Sequence, residues 1–102
     1  MIRLGPVESF HRFPSLVGEG RRSYFLVKQG DAFALLSNTC PHERGSVYDK
    51  GTCFECPLHG WQFDRRTGRC LNEPDRSLAS LPVVVQDGVL FADIPHHGQA
   101  VD

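Results

Sequence analysis

An all-β fold, an antiparallel β-sandwich or barrel of short strands, is the architecture this sequence predicts. Three observations carry that expectation. Apolar runs of strand length come in pairs, turn dipeptides sit between the members of each pair, and no window sustains a 3.6-residue apolar period. The chain of 102 residues holds 10 glycines and 7 prolines, which punctuate it into short elements and leave room for one core. Residues 1–102 are therefore expected to form a single domain, with the polar tail 96–102 fraying.

The elements follow in order. Pro6–Phe10 and Ser77–Leu81 admit a turn of helix and no more. Tyr24–Lys28 and Ala32–Leu36 read as a strand pair joined by Gln29-Gly30-Asp31, a connection of hairpin type. Thr52–Glu55 and Trp61–Asp64 read as two short strands, the second entering the turn Arg65–Gly68. Pro82–Gln86 and Val89–Asp93 flank Asp87-Gly88, a two-residue hairpin signal because both turn positions need positive φ. Phe10, Phe13, Phe25 and Phe33 are assigned to the core. This layout leaves two loops, residues 40–47 and 56–61, to carry chemistry.

Composition narrows the function. Hydrophobic residues are 40%, charged residues 23% and the formal net charge −1, an ordinary foldable balance without the electrostatic footprint of a nucleic-acid binder. The longest like-charge blocks are Arg21–Arg22 and Arg65–Arg66, read as solvated surface. No apolar run reaches the roughly 18 residues that cross a bilayer, and MIRLGPVESF lacks the pattern of a secretory signal. Cytoplasmic residence without membrane contact is the expectation. Four cysteines could form a secreted disulfide framework, but two histidines beside two of them favour metal binding.

Those four donors lie in Cys40-Pro41-His42 and Cys56-Pro57-Leu58-His59. One thiolate and one imidazole from each of two tight turns make a closed site. Donor chemistry admits a structural zinc, or a [2Fe–2S] unit with two ligands on each iron. Cys-x-His spacing is atypical of zinc knuckles. Cys53-Phe54-Glu55-Cys56 adds a Cys-x-x-Cys that could be half of a zinc site or a redox dithiol, yet such dithiols open a helix in a βαβ unit, and none is predicted. Cys53 and Cys70 are then small buried packing residues, with a contact between them left open. Pro41 and Pro57 stiffen the loops. Gly45 and Gly60 would let backbone N–H groups approach and point at cluster sulfurs. Trp61 and Phe63 are expected in the core, shielding the site, and Pro74 sits in a connection that also suits a covering loop.

The paired motifs, with Gly60-Trp61-Gln62-Phe63-Asp64 after the second, resemble the two-loop signature of Rieske proteins. The second half is especially similar to the ferredoxins and oxygenase N-terminal domains of bacterial Rieske oxygenase systems. The turn Arg65–Leu71 and the closing Leu81–Val83 segment also sit where that family has them, so the resemblance covers about Tyr24 to Ile94. It implies one [2Fe–2S] cluster per chain, with Cys40 and Cys56 on one iron and His42 and His59 on the other. It implies a ferredoxin that makes no bonds itself but carries single electrons from a flavin-containing ferredoxin reductase to a terminal oxygenase. Both partners would be transient and the carrier a monomer. The outer ring nitrogens of His42 and His59 would face solvent or a partner. The runner-up is the small Rieske subunit of an assimilatory nitrite reductase; a reading of another class is a zinc-binding module without redox role. A complete oxygenase is not expected, since His11, His96 and His97 are the remaining histidines and a second iron domain needs far more chain.

Two departures from the family are visible. His42 and Cys56 are separated by 13 residues, fewer than is usual, which points to a shortened hairpin in the Tyr48–Phe54 region. Respiratory Rieske proteins carry an extra, disulfide-linked cysteine in each loop, where this chain has Gly45 and Leu58. They also place Ser and Tyr donors where Trp61 and Phe63 stand here. Fewer hydrogen bonds to sulfur imply a potential toward the lower end of the Rieske range, about −150 mV.

Overall fold

Uninterrupted apolar runs belong where both faces of a strand are covered, and the runs Tyr24–Lys28 and Ala32–Leu36 are covered on both. The computed structural model describes residues 1–19, 22–41, 45–58, 60–73 and 75–94. The expectations placed on His42, His59, Pro74 and the tail 96–102 lie outside the described residues. Strand β1 is Ile2–Pro6 and β2 is Ser15–Glu19. Strands β3 (Arg22–Gln29) and β4 (Ala32–Ser37) pair antiparallel across Gly30 and Asp31. Farther along, β5 is Tyr48–Asp49, β6 Phe54–Glu55 and β7 Gln62–Phe63. The last two, β8 (Ser80–Gln86) and β9 (Val89–Ala92), pair across Asp87 and Gly88, whose φ angles of 51° and 75° are the positive pair that their turn requires.

Six strands form one antiparallel sheet in the order β1-β9-β8-β4-β3-β2, and β5-β6-β7 form a second, three-stranded sheet. The all-β expectation holds, and each predicted strand is present within a few residues of its expected bounds. Strands β1 and β2 were not expected, whereas β5 is the first arm of the hairpin expected at Tyr48–Phe54. β1 and β2 are edge strands carrying Gly5 and Gly18, which weaken any strand pattern, and β5 is two residues long. The helical turn at Pro6–Phe10 is a 3-10 turn at Val7–Ser9. Ser77–Leu81 is not helical: Ser77 bridges Arg69, the Leu78 N–H donates to the Gly68 carbonyl at 2.9 Å, and β8 begins at Ser80. Burying Leu78 in the core draws this segment out straight. Among the described residues no helix is long and apolar enough to cross a membrane.

Strand alternation divides the core in two. Leu26 and Leu35 face Leu90 and Ala92, with Phe10, Phe13 and Phe33 packed around them. Their neighbours Phe25, Val27, Ala34 and Leu36 point the other way, onto Phe54, Phe63, Leu78 and three of the cysteines. Phe25 on β3 and Phe54 on β6 stack with ring centres 4.2 Å apart and planes 17° from parallel, joining the large sheet to the small one. Complete burial of a ring such as Phe54 contributes roughly 1.5–3 kcal/mol.

Candidate metal centre

The first loop leaves β4 and returns to β5. Its base is closed by a bridge between Thr39 and Ser46 and by the Val47 N–H donating to the Asn38 carbonyl at 2.7 Å. Inside it, the Cys40 N–H donates to the Gly45 carbonyl at 2.7 Å. The second loop leaves β6 and returns as β7, with the Cys56 N–H on the Trp61 carbonyl at 2.8 Å. In each loop, therefore, the cysteine N–H reaches the carbonyl five residues on (40 to 45, 56 to 61). The two loops close in the same way although their sequences differ.

Closure buries the thiols. Cys40 and Cys56 are each 1% exposed and belong to one apolar cluster, against which Trp61 packs. Among the described residues, Pro41, Leu58 and Gly60 beside the thiols are exposed instead. The loops also touch. A Cβ on Gly45 would lie 2.7 Å from Leu58 Cδ1 and 3.2 Å from Cys56 Sγ. Two sequestered thiols, supplied by loops in contact, are a donor set suited to iron–sulfur coordination, where thiolates must be held without competing water.

The predicted supporting residues divide. Phe63 is fully buried and Trp61 partly so, as expected of core aromatics beside the site. Cys53 and Cys70 are buried packing residues, no disulfide joins any of the four cysteines, and Cys70 Sγ accepts the Glu73 N–H at 3.3 Å. Gly60 departs from expectation. Its N–H donates to the Cys56 carbonyl at 2.9 Å rather than being aimed at a sulfur, and its φ of +73° is what calls for glycine. Gly45 is needed for space, not for φ, since it is absent from the positive-φ glycines.

Polar side chains on the small sheet form a support that the sequence reading missed. The Glu55 carboxylate, one residue before Cys56, accepts from Lys50 Nζ at 2.9 Å, Gln62 Nε2 at 3.2 Å and Tyr48 Oη at 3.3 Å. The Lys50 hydrogen bond, then that of Gln62, lowers the Glu55 pKa, and Glu55 in return raises that of Lys50. Arg65 grips Asp49 through Nε at 2.9 Å and Nη2 at 3.0 Å. Burial works to raise the Asp49 pKa, but Arg65 and the Gly51 N–H outweigh it and the net shift is downward. Arg65 is thus an ion-pair partner rather than a purely solvated charge, while Arg66 is exposed as expected. The Asp64 carboxylate accepts the N–H groups of Thr67 at 2.9 Å and Arg66 at 2.7 Å, which lower its pKa and set the turn after β7. Asn72 Oδ1 accepts the Gln62 N–H at 2.8 Å, tying the next loop to β7. The signal in the sequence was faint: Tyr48, Lys50, Glu55 and Gln62 meet only once the hairpin register is set.

Comparison with known proteins agrees with the geometry. The family model described as Rieske [2Fe-2S] domain matches residues 9–84. The 3-phenylpropionate/cinnamic acid dioxygenase ferredoxin subunit of Shigella flexneri serotype 5b is 32% identical over 75 residues, 69% of this chain and 71% of that protein. Cholesterol 7-desaturase nvd 2 of Ciona intestinalis is 31% identical over 78 residues, 72% of this chain but 16% of the desaturase, so the chain spans about a sixth of that relative's length. Among solved structures, the Sphingomonas yanoikuyae B1 ferredoxin superposes with a TM-score of 0.59 at 28% identity, covering 92% of this chain and 98% of that one. The chain belongs to the Rieske [2Fe–2S] domain family, with dioxygenase ferredoxin subunits among its relatives, and its cofactor is a [2Fe–2S] cluster.

Proposed function

We propose that this chain, as one domain and as a monomer in the cytoplasm, carries single electrons from a flavin-containing ferredoxin reductase to a terminal oxygenase, meeting each partner transiently. Cys40 and Cys56 would hold one iron and His42 and His59 the other. The observation that carries the ligand assignment is the pair of like-closed loops, each burying one thiol. The likeness to a dioxygenase ferredoxin subunit supports the partner assignment. When bound, the cluster supplies reversible one-electron chemistry and makes no substrate bond.

The protein's own residues do the rest. Buried Cys40 and Cys56 keep thiolate donors away from water, which would otherwise compete for iron. Phe54, Phe63 and the inner face of Trp61 wall the site on the side of the core. With their cysteine partners sealed inside, the two histidines would be the route by which electrons cross the surface. Binding of the metal would take place with both thiols deprotonated.

An EPR spectrum of the dithionite-reduced protein, with iron and sulfide measured on the same sample, tests the ligand assignment. A rhombic signal of low average g, with about two irons per chain, is the expected result for histidine and cysteine ligation. A colourless, EPR-silent sample containing zinc overturns it. The partner assignment is tested by stopped-flow reduction with a flavin-containing ferredoxin reductase, then reoxidation by a terminal oxygenase. Isolation in a stable complex with one large nitrite reductase subunit would replace the two transient partners with one permanent one.

A further inference from the structure

Gly45 does two jobs at once. Its carbonyl accepts the Cys40 N–H at 2.7 Å, which fixes the first loop. Its bare Cα receives Leu58 of the second loop, whose Cδ1 and Cγ would stand 2.7 and 3.2 Å from a Cβ placed there, with Cys56 Sγ also at 3.2 Å. The backbone at Gly45 does not have positive φ, so conformation does not demand glycine; the space taken by Leu58 does. Leu58 is otherwise out of place, an aliphatic side chain 57% exposed in a loop between a buried cysteine and an exposed glycine. One of its faces is held on Gly45 beside the Cys56 sulfur while the other meets solvent.

We propose that Leu58 seated on Gly45 is a latch between the two cysteine loops, setting their separation and keeping water from Cys56 Sγ. The inference rests on the reading that these loops carry the cluster, and it assigns to Leu58 a positioning role rather than ligation. The mechanism is one of packing. A side chain at position 45 does not have to unfold the loop: its tightest clash, at 2.7 Å, is with the end of a flexible leucine that can swing into solvent, while Cys56 Sγ, at 3.2 Å, need give by only a few tenths of an ångström. It would lift the latch instead. Removing the leucine's end would open the same path to the sulfur from the other side.

The test is a double-mutant cycle on the holoprotein, read as the half-life of the cluster's visible absorbance in excess EDTA. Gly45→Ala and Leu58→Ala should each shorten the half-life about fivefold, and the double variant should be little worse than either, because the alanine at 45 no longer has a leucine to displace. Both single variants should also raise the reduction potential, since water reaching a ligand sulfur stabilises the reduced state. Leu58→Met, which restores the reach of the side chain, should keep the wild-type half-life and potential. It decides the matter even if Gly45→Ala yields no protein. Multiplying effects in the double variant, or an unchanged potential in Leu58→Ala, would overturn the latch. If the wild-type protein itself gives no Rieske EPR signal, it is the ligand assignment that fails; a normal signal with multiplying effects overturns the latch alone.

Discussion

The two sheets of this protein are held together by different forces. In the six-stranded sheet, β3 and β4 run side by side for six paired residues, and Leu26, Leu35 and Leu90 are sealed on one face. In the three-stranded sheet each strand is two residues long. Such a sheet has too little ladder to stand alone. It persists because Phe54 and Phe63 are buried against the large sheet and because Glu55, Asp49, Asp64 and Asn72 tie its turns with side-chain bonds. The difference teaches where a metal would matter: the large sheet has a long ladder of its own, whereas the small sheet grips both ends of the second cysteine loop.

The largest expected effect follows from that contrast. Replacing Cys40 or Cys56 by serine should abolish iron binding, and amide exchange should accelerate at Phe54 and Gln62 while Leu26 and Leu35 stay protected. Uniform exchange across both sheets would erase the distinction. Next, Phe54→Ala removes the ring stacked on Phe25 and should cost about 3–5 kcal/mol in denaturant unfolding. Leu35→Ala, at the opposite face of the large sheet, should cost about 2–5 kcal/mol. The two are told apart by iron release below the unfolding midpoint, expected in Phe54→Ala and not in Leu35→Ala. Smaller again, Glu55→Ala breaks three partly exposed contacts and should lower the denaturation midpoint only slightly, with the loss diminishing in high salt.

The smallest effect is in pH. Asp49 and Asp64 both have lowered native pKa values. Each binds its proton less readily folded than unfolded, so the stability it adds is present above the unfolded value, near pH 3.9, and disappears as pH falls through the lower native one. Asp64→Asn should therefore flatten the acid limb of a thermal-melt series and leave the neutral Tm little changed. An acid limb identical to that of the wild type would show that the turn at Arg65–Gly68 does not depend on the charge.

Much of the fold was legible because its strongest signals are local. Asp87-Gly88 names its own turn through the φ values it tolerates, and the apolar runs at Tyr24–Lys28 and Ala32–Leu36 announce strands wherever they pack. The doubled motif at Cys40 and Cys56 was legible for the same reason, each cysteine and its histidine falling within one turn of chain. Strands β1 and β2 were hidden, since Gly5 and Gly18 dilute their pattern and their pairing with β9 and β3 is set by the sheet they join. Gly60 was misread because a glycine in a sequence does not declare whether it serves φ, space or an N–H.

By itself, then, the sequence determined the secondary-structure class, the hairpin turns and the two loops that carry the Cys/His motifs, all of which depend on residues within a few positions of one another. The tertiary structure decided which face of β3 and β4 receives the small sheet, that Cys40 and Cys56 are buried in one cluster, and that Leu58 lies on Gly45. Those are contacts between segments distant along the chain. They arise from the pairing of β5, β6 and β7 and the stacking of Phe54 on Phe25, which local propensity does not encode.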